Sequence, residues 1–337
     1  MNQSPKIVTI FGGSGFVGRY VARRMAKAGW RVLIAVRRPN EAHFVRPYGV
    51  VGQVEPILAN VRDDASVRAA LAGSDAVVNC VSVLQESGKQ TFEALNDAGA
   101  GRVAKIAAEE GIDTFVHLSA LGADLNSNSD SARTKAEGEQ AVLSAFPNAM
   151  ILRPSVIFGN EDQFFNRFAD LTKLSLVLPI VGGNSLFQPV YVDDVAQAVC
   201  QGITNKDTGG IYELGGPDVD TLSAFIQKML KVIRRRRLVI NLPFIIGSIM
   251  GGFLGLIQFF TLGLFTNTIL TRDQVKQLRK DNLVSDGSKS FTDLDITPTG
   301  VDAVIEEYLY QYRPYGQYSE LTESAKNLKG APSDNDF

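Results

Sequence analysis

The sequence predicts an α/β protein with a doubly wound parallel sheet and a smaller, mostly helical C-terminal lobe. Residues 7–11 form a β-branched and aromatic run that is typical of a strand buried on both faces, and a glycine-rich turn then leads into an amphipathic helical pattern. Further short apolar runs alternate with helical patterns as far as residue 153, which is the arrangement of a parallel sheet. The chain has 337 residues, which is enough for one large domain and a smaller lobe.

The turn after the first strand is rich in glycine, and its main glycines have distinct expected roles. Gly12 permits the tight turn, Gly15 lets the backbone approach a pyrophosphate, and Gly18 lets helix and strand pack closely. The first-turn amides and the positive end of the helix then face the phosphates. This context predicts a Rossmann dinucleotide site, against the alternative of a plain glycine-rich turn. The residues assigned to the site are Gly12, Gly13, Ser14, Gly15, Phe16, Val17, Gly18 and Arg19.

The second predicted strand, residues 31–36, ends in two arginines that bear on the choice of dinucleotide. Folds of this kind that prefer NAD place an acidic residue about 20 positions after the glycines, where it binds the ribose 2′-hydroxyl. Arg37 occupies that place here, and Arg38 follows it. Because a guanidinium suits a 2′-phosphate, we expect NADP(H) rather than NAD(H), the alternative being a solvated basic loop.

The Gly-x-x-Gly-x-x-Gly spacing of the turn resembles that of extended and atypical short-chain dehydrogenase/reductases, over roughly the first two thirds of the chain. The resemblance implies that residues 60 and 61, after a third strand at 54–58, face the adenine. Relatives often carry aspartate and an apolar residue there. Two more strands, at 76–80 and 114–118, deliver side chains to the carboxyl edge of the sheet, where ligands bind. The cofactor contacts expected at this edge are Asn60, Val61, Val81, Ser82 and Ser119.

The segment from Ser131 to Lys135 decides whether this family's chemistry is expected. In active short-chain dehydrogenases a tyrosine four residues before the lysine passes a proton, while the lysine lowers the phenol pKa and holds the nicotinamide ribose. Here Lys135 and the family's serine, Ser119, are present, but Ser131 replaces the tyrosine. The loss of a placed general acid typically costs about 10²–10⁴ in rate. We therefore predict no catalytic residue and a ribose-binding Lys135, whose alternative role is that of a surface lysine.

The chain after a sixth strand at 149–153 is expected to pass the nicotinamide end of the cofactor, with contacts from Pro154 and Val156. Residues 187–195 are expected to return to the sheet. Asp193 and Asp194 follow at the start of a helix that runs to Ile203, as caps or, the favoured alternative, as helix-end charges. The other predicted elements are helices at 63–71, 91–110 and 221–232, a helix that opens at 160–168, and a strand at 211–214.

These elements predict a division into two parts and a tail. Residues 1–158 form the Rossmann domain, whose sheet is completed by about 186–214. Residues 159–185 and 215–312 form the smaller C-terminal lobe. Residues 313–337 have too little apolar content to fold alone, and we expect an extended or disordered tail.

The lobe contains an apolar docking segment, residues 234–270. Arg234 to Arg237 precede an uncharged run that extends to residue 271, and Phe244 to Phe260 fit one lopsided helix. Its 17 residues rise only about 25 Å, short of a ~30 Å hydrocarbon core. We therefore favour a helix at the membrane surface or against a partner over a transmembrane span, and a buried helix of the lobe is the third alternative. A charged helix is expected at 270–282, and a last helix at 301–310.

Composition excludes several function classes. With 34 basic and 36 acidic residues the net charge is −2, so no global field attracts nucleic acid. Two cysteines and two histidines are too few for an iron–sulfur cluster or a typical zinc site, and we expect no metal. Because the first strand starts near residue 6, no signal or transit peptide is expected.

Three stretches together resemble a single family. They are residues 153–162 (Arg-Pro-Ser-Val-Ile-Phe-Gly-Asn-Glu-Asp), the helix from Ser131 to Glu139 without its tyrosine, and residues 270–282 with their Thr-Arg-Asp-Gln-Val core. The chain is similar nearly throughout to the NADPH-binding accessory subunits of respiratory complex I, the alpha-subcomplex subunit nine family, in an alphaproteobacterial form.

The resemblance implies that the protein binds NADPH tightly without turnover. It also implies partners among the core subunits of complex I, at the junction of the peripheral and membrane arms near the quinone site. The C-terminal lobe would lie on the membrane lipid surface, at the cytoplasmic face of the bacterial inner membrane. The alternatives are an active atypical NADPH-dependent reductase or isomerase acting on a quinone or isoprenoid, and a cofactor-sensing regulator that changes partners.

Overall fold

The computed structural model describes residues 5–205, 207–260 and 271–314. The strands, in chain order, are β1 Ile7–Phe11, β2 Arg31–Val36, β3 Val54–Leu58, β4 Ala76–Asn79, β5 Thr114–Leu118, β6 Met150–Pro154, β7 Ile157–Phe158, β8 Val177–Val181, β9 Leu186–Phe187, β10 Val190–Tyr191, β11 Gly210–Leu214, β12 Asp220–Thr221 and β13 Leu238–Leu242. Seven of them form one parallel sheet in the order β11-β6-β5-β4-β1-β2-β3. The strand order reverses beside β1, so the carboxyl ends of β1 and β4 border a crevice.

Helices cover both faces of this sheet. In chain order they are α1 Phe16–Lys27, α2 Asp64–Leu71, α3 Ala98–Glu109, α4 Asp130–Ala145, α5 Phe165–Leu174, α6 Val192–Thr204, α7 Leu222–Val232, α8 Phe244–Phe260, α9 Arg272–Gln277 and α10 Val301–Leu309. The buried side chains of α1 and α6 pack on one face, and those of α2, α3 and α4 pack on the other. The protein is therefore a three-layer α/β fold, as predicted, and most predicted elements lie within two residues of their observed bounds.

The smaller lobe has a core of its own. Side chains from α5, α7 and α10 pack with Phe158 and Phe187 in one buried cluster. Tyr308, from α10, donates its hydroxyl to Asp162 over 2.7 Å, which ties the last described helix to the loop before α5. Burial raises the pKa of Asp162, although backbone N–H groups also donate to it.

The expected return of residues 187–195 to the main sheet is wrong. β9 and β10 instead pair in two-residue ladders with β12 and β7. The two aspartates that follow do not cap α6, because Tyr191 occupies the N-cap, but both lie in its first turn, as the favoured alternative predicted. Asp193 forms a bidentate ion pair with Arg24 at 2.7–2.8 Å, and Asp194 accepts hydrogen bonds from Thr299. Both carboxylates therefore join distant segments to the start of the helix.

The predicted charged helix at 270–282 is much shorter than expected. α9 starts with a capping box between Thr271 and Gln274 and ends at Gln277. The chain then leaves the helix because its next polar side chains bind distant backbone groups. Asp281 accepts from the Leu186 amide over 2.8 Å, and Asn282 forms a β-bridge with Phe187.

Two strands of the lobe were missed by the sequence pattern. β8 and β13 form a separate parallel pair, in which Leu238 lies opposite Val177. The uncharged run that was expected to lead directly into a docking helix thus begins as a strand. Two of the arginines before it also have internal acceptors: Arg235 donates to the Tyr312 carbonyl and Arg237 to the Thr172 carbonyl.

α8 has the bounds predicted for it, Phe244–Phe260. Within residues 244–253, whose side chains the structure describes, it exposes Ile245, Ile246, Ile249 and Phe253. Among the residues that the structure describes, no helix is both long enough and apolar enough to cross a membrane. The rest of the predicted docking segment, 261–270, and nearly all of the predicted tail, 315–337, lie outside the described residues.

Candidate functional site

The glycine turn lies at the carboxyl end of β1, between β2 and the loop that follows β4. Gly12 has a φ of +73°, and its amide donates to Ala35 over 3.1 Å. A Cβ on Gly12 would lie 3.1 Å from the carbonyl carbon and oxygen of Cys80. A larger residue is therefore excluded here by both backbone conformation and space.

Gly18 and Gly15 are glycines for different reasons. A Cβ on Gly18 would lie 2.5 Å from the Gly12 carbonyl oxygen and 2.6 Å from the Gly13 α-carbon, so helix and turn touch backbone to backbone. A Cβ on Gly15 would meet only the Gly12 oxygen, at 3.1 Å. Packing within the described chain thus requires glycine firmly at 18, whereas the space beside Gly15 is open for another molecule to approach.

The start of α1 suits an anion. Gly15 occupies its N-cap without a side-chain cap, and among the described residues no acidic side chain lies in its first turn. The amides of Phe16, Val17 and Gly18 belong to the turn that has no intrahelical acceptors, and they carry the positive end of the helix dipole. The Val17 side chain is 7% exposed and packs in the core, so only its backbone can serve a ligand.

Arg19 and Phe16 connect the glycine turn to the loop after β7. The Arg19 guanidinium donates to the Ser14 carbonyl over 3.2 Å and forms a 2.9 Å ion pair with Glu161. The Phe16 ring lies against the backbone of Gly159, where a Cβ would be 3.3 Å from the ring. The loop after β7 is thereby held next to the glycine turn.

The two arginines after β2 differ in their surroundings. The Arg38 guanidinium lies 3.0 Å from Glu41, and both side chains are exposed. Arg37 is also exposed, and among residues 5–205, 207–260 and 271–314 it has no ion pair or side-chain hydrogen bond. Arg37 is therefore the cation that remains available to a 2′-phosphate at the end of β2.

The residues expected beside the adenine are partly engaged by the protein itself. The Asn60 side-chain oxygen accepts from the Arg62 backbone amide. In the described residues, the Asn60 side-chain NH₂ group has no acceptor, so it can donate to a ligand. Val61 is 7% exposed and packs near Gly99 of α3. The loop after β4 comes near the glycine turn, since the Val81 nitrogen would lie 3.2 Å from a Cβ on Gly12.

Lys135 lies in a polar network at the carboxyl edge of the sheet. Its ammonium donates to the Ser82 hydroxyl over 2.9 Å, and Ser82 donates to Asn96 over 3.3 Å. Asn96, in the π-helical turn Glu93–Asp97, donates in turn to Thr134 over 3.3 Å. Burial lowers the pKa of Lys135 to about 8, an effect that the Glu139 carboxylate partly offsets. Two residues predicted separately as cofactor contacts, Ser82 and Lys135, are thus brought together.

His117 is buried behind this network. Its side chain is 3% exposed, and the Asn79 amide nitrogen lies 3.3 Å from His117 Nδ1. Burial, with a smaller contribution from the Lys135 charge, lowers the pKa of His117 to about 3. The ring is therefore neutral over the physiological pH range.

Ser119 belongs to a different cluster. Its hydroxyl donates to Glu139, which forms a bidentate ion pair with Arg153 at 2.6–2.9 Å. Arg153 also lies 3.6 Å from Glu213 on the edge strand β11. The hydrogen bond to Glu139 is the main cause that raises the pKa of Arg153. Within the chain, the Ser119 hydroxyl is thus directed to a buried ion-pair network.

The helix that carries Ser131 and Lys135 is held at its N-terminus by the late segment. Asp273 accepts from the Ser129 hydroxyl over 2.8 Å and from the Asp130 amide over 2.7 Å, and the Ser131 amide lies 3.4 Å away. Ser131 is 7% exposed. A carboxylate at the positive end of α4 is favourable for the helix dipole, so α9 fixes this helix against the lobe.

The loop expected to pass the nicotinamide, residues 154–156, is held partly by the same segment. The Pro154 carbonyl accepts from the Leu121 amide over 2.9 Å. The Asn282 side-chain oxygen accepts from the Ser155 hydroxyl over 2.6 Å and from the Val156 amide over 3.1 Å. Residues 271–282 therefore reach both sides of the expected nicotinamide position.

Five residues that shape the site escaped sequence reasoning. Glu139 could have been found, because it lies four positions after Lys135 on the same helix face. The others have no local signal, since their partners are distant in the chain. They are Asn96, Glu161, Asp273 and Asn282. In the described part of the chain, no cluster of three metal-ligating side chains occurs.

The chain is similar to known proteins over most of its length. Residues 8–215 match the NAD dependent epimerase/dehydratase family. NADH dehydrogenase (ubiquinone) 1 alpha subcomplex subunit 9, mitochondrial, from Arabidopsis thaliana is 36% identical over 326 residues, covering 95% of this chain and 81% of the relative. The Mus musculus protein of that name is 31% identical, covering 96% and 85%. The solved structure of Thermus thermophilus UDP-glucose 4-epimerase with NAD shares the fold, with a TM-score of 0.59, 19% identity, and 70% and 86% coverage.

The different steric surroundings of Gly18 and Gly15 lead to a first prediction. Gly18→Ala should lower the free energy of unfolding by about 1–3 kcal/mol, because its methyl group would overlap backbone atoms. Gly15→Ala should change that free energy by less than about 1 kcal/mol but weaken dinucleotide binding by about tenfold or more. Urea unfolding without nucleotide and calorimetric titration with NADPH would measure the two effects. Normal nucleotide affinity in Gly15→Ala would contradict the phosphate role.

The buried neutral His117 makes a second prediction. Its pKa in the folded protein, about 3, lies below its value of about 6.5 in the unfolded chain, so the unfolded state takes up the proton first. Stability should therefore fall as the pH falls from about 6.5 towards 3. In His117→Gln the slope of unfolding free energy between pH 6 and 4 should be shallower by about 1.4 kcal/mol per pH unit. A slope in His117→Gln equal to that of the wild type would contradict the buried neutral ring.

Proposed function

This chain belongs to the NAD dependent epimerase/dehydratase family and to the family of NADH dehydrogenase (ubiquinone) 1 alpha subcomplex subunit 9, and we propose that it is an accessory subunit of respiratory complex I that holds NADPH without turning it over. One observation carries the proposal. The groove keeps a glycine turn, an available Arg37 and a Lys135 bound to Ser82, but residue 131 is a serine with no phenol to donate a proton.

The residues around the groove fit a nicotinamide dinucleotide. The open space beside Gly15 and the uncapped start of α1 would receive the pyrophosphate. Arg37 would bind the 2′-phosphate, and Lys135 with Ser82 would bind the nicotinamide ribose. Membership of an NAD dependent family supports a nicotinamide dinucleotide in general, and Arg37 supports NADPH in particular.

The same residues account for the absence of turnover. Reduced nicotinamide would supply a hydride to a suitable acceptor, and a reduction of that kind also requires a proton donor. An aliphatic hydroxyl such as that of Ser131 is a much weaker acid than a phenol. Asp273 contributes negative charge at the same end of α4, which disfavours an anion forming there. The chain can thus hold the nucleotide in place and lacks the group that would complete the reaction.

The lobe carries the features that support a place at the membrane surface. Residues 221–271 contain six basic residues and no acidic ones. Ile245, Ile249 and Phe253 are 63–72% exposed on one side of α8. Basic residues and exposed apolar side chains within one segment of the chain suit an anionic lipid surface next to a protein partner. We therefore infer docking at the junction of the two arms of complex I, on the cytoplasmic face of the bacterial inner membrane.

Purification from membranes tests this function. The tagged protein, extracted in mild detergent from cells that make it, should carry core subunits of complex I and one NADPH per chain, as measured by mass spectrometry. NADPH recovered before and after NADH:quinone turnover should be equal in amount, because the chain lacks the proton donor.

Two results would contradict the proposal in different ways. Purification without any complex I subunit would contradict the proposal that the chain is an accessory subunit. Steady oxidation of bound NADPH by a carbonyl or quinone compound, abolished by Lys135→Ala, would establish the active reductase instead.

The arginines after β2 make a separate prediction about the nucleotide. Arg37→Ala should weaken NADPH binding by about 1–3 kcal/mol, the value of a lost charge-assisted contact, and leave NADH binding almost unchanged. Arg38→Ala is the matched control, and its effect should be smaller because Arg38 pairs with Glu41. Calorimetric titration of each variant with both nucleotides measures the difference. Equal losses for NADPH and NADH in Arg37→Ala would refute the 2′-phosphate assignment.

A further inference from the structure

A cavity of about 380 Å³ lies at the foot of α8, apart from the dinucleotide groove. Its walls come from three segments: the loop after β8, the junction of β13 with α8, and the residues that follow α9. We name it the foot cavity. The side chains that matter for its chemistry are Asn184, Asn241, Phe244, Arg279 and Asp281.

The foot cavity contains two opposite charges that do not pair with each other. The Arg279 guanidinium lies 5.6 Å from the centre of the Phe244 ring, and no carboxylate in the described residues lies within 4.0 Å of it. Asp281 uses one oxygen to accept from the Leu186 amide, and within those same residues no cation lies within 4.0 Å of its carboxylate. A separated cation and anion in one cavity suit a ligand that carries both charges itself.

The neighbouring amide adds a donor on the Arg279 side. The Asn241 side-chain oxygen accepts from the Gly183 amide over 3.1 Å, so its amide nitrogen remains to donate elsewhere. A phosphodiester accepts several hydrogen bonds and matches a guanidinium together with an amide.

An apolar surface starts where the foot cavity ends. α8 begins at the cavity wall with Phe244, and Ile245, Ile249 and Phe253 follow at four-residue intervals on one exposed side. On the other side of the cavity wall, Ile240 of β13 is 40% exposed. A charged head in the cavity would therefore place attached hydrocarbon chains along side chains that otherwise face solvent.

We propose that the foot cavity binds the head of a zwitterionic glycerophospholipid of the ethanolamine class. The phosphodiester binds Arg279 and Asn241, the ammonium binds Asp281, and the acyl chains cover Ile245, Ile249 and Phe253. This assignment rests on the membrane-surface docking proposed above and deepens it, because it names the lipid and the residues that select it.

Titration of the full-length protein with soluble lipids tests the site directly. The probes are dihexanoyl phosphatidylethanolamine, dihexanoyl phosphatidylglycerol, phosphoethanolamine and inorganic phosphate, with calorimetry as the readout. Phosphatidylethanolamine should bind at least about fivefold more tightly than each of the other three. Arg279→Gln and Asp281→Asn should each weaken it by about tenfold, the effect of losing one charge-assisted contact. Asp281→Asn should also remove the preference over phosphatidylglycerol.

Arg236→Gln is the matched control, since Arg236 is an exposed arginine outside the foot cavity and its replacement removes the same charge. Equal affinity for phosphatidylethanolamine in wild type and Arg279→Gln would contradict the proposed lipid site. Equal losses of that affinity in Arg279→Gln and Arg236→Gln would also contradict it. Unchanged NADPH affinity and melting temperature in each variant would show that the fold is intact.

Vesicles separate this proposal from the docking on which it rests. All vesicles contain phosphatidylcholine and the anionic lipid phosphatidylglycerol. Wild type should bind vesicles that also contain phosphatidylethanolamine more strongly than vesicles without it, and Ile249→Ser with Phe253→Ser should reduce both. Failure of the wild type to bind any vesicle, with normal binding of the soluble lipid, would contradict the docking alone. Vesicle binding with no response to Arg279→Gln or to the ethanolamine lipid would contradict the site alone.

Discussion

The backbone contact between Gly18 and the glycine turn is the constraint on which the rest of the site depends. A single methyl group on Gly18 would overlap the Gly12 carbonyl, so the first turn of α1 lies directly against the end of β1. That approach aims the uncapped helix start at the crevice beside β4, where the strand order of the sheet reverses. The other predicted site residues lie around this turn, and the loop at Cys80 approaches Gly12 closely.

The late segment, residues 271–282, joins the lobe to the Rossmann domain through the start of α4 and the loop after β6. Asp273 holds the start of α4, and Asn282 holds the loop at Ser155 and Val156. α8 lies directly on this segment, because a Cβ on Gly251 would be 2.9 Å from the Arg272 amide. The exposed apolar helix α8 and the helix that carries Lys135, α4, are therefore connected through one six-residue helix, α9.

The buried charges of the site are compensated in pairs and networks. Glu139 is 3% exposed, and its pairing with Arg153 prevents an isolated carboxylate in the interior. Burying such a pair costs desolvation energy, so the pair is weak evidence for stability and better evidence for a fixed geometry. Lys135 differs, since it lacks a bidentate partner and burial lowers its pKa to about 8. A ligand that offers acceptor oxygens to Lys135 would favour its charged form.

The glycine spacing and the alternation of strands and helices were enough to predict the three-layer fold, the turn at Gly12 and the helix bounds of α8, because each depends on residues close in sequence. The pairing of β8 with β13, the end of α9 at Gln277 and the position of Ser119 against Glu139 could not be read from the chain. Each depends on a partner 20 or more positions away, and only the packed structure determines which distant polar group satisfies a buried hydrogen bond. The sequence alone therefore determined which strands, turn and helix form the groove, because those elements are local. The tertiary structure decided how the lobe is connected to the groove, because those contacts join distant residues.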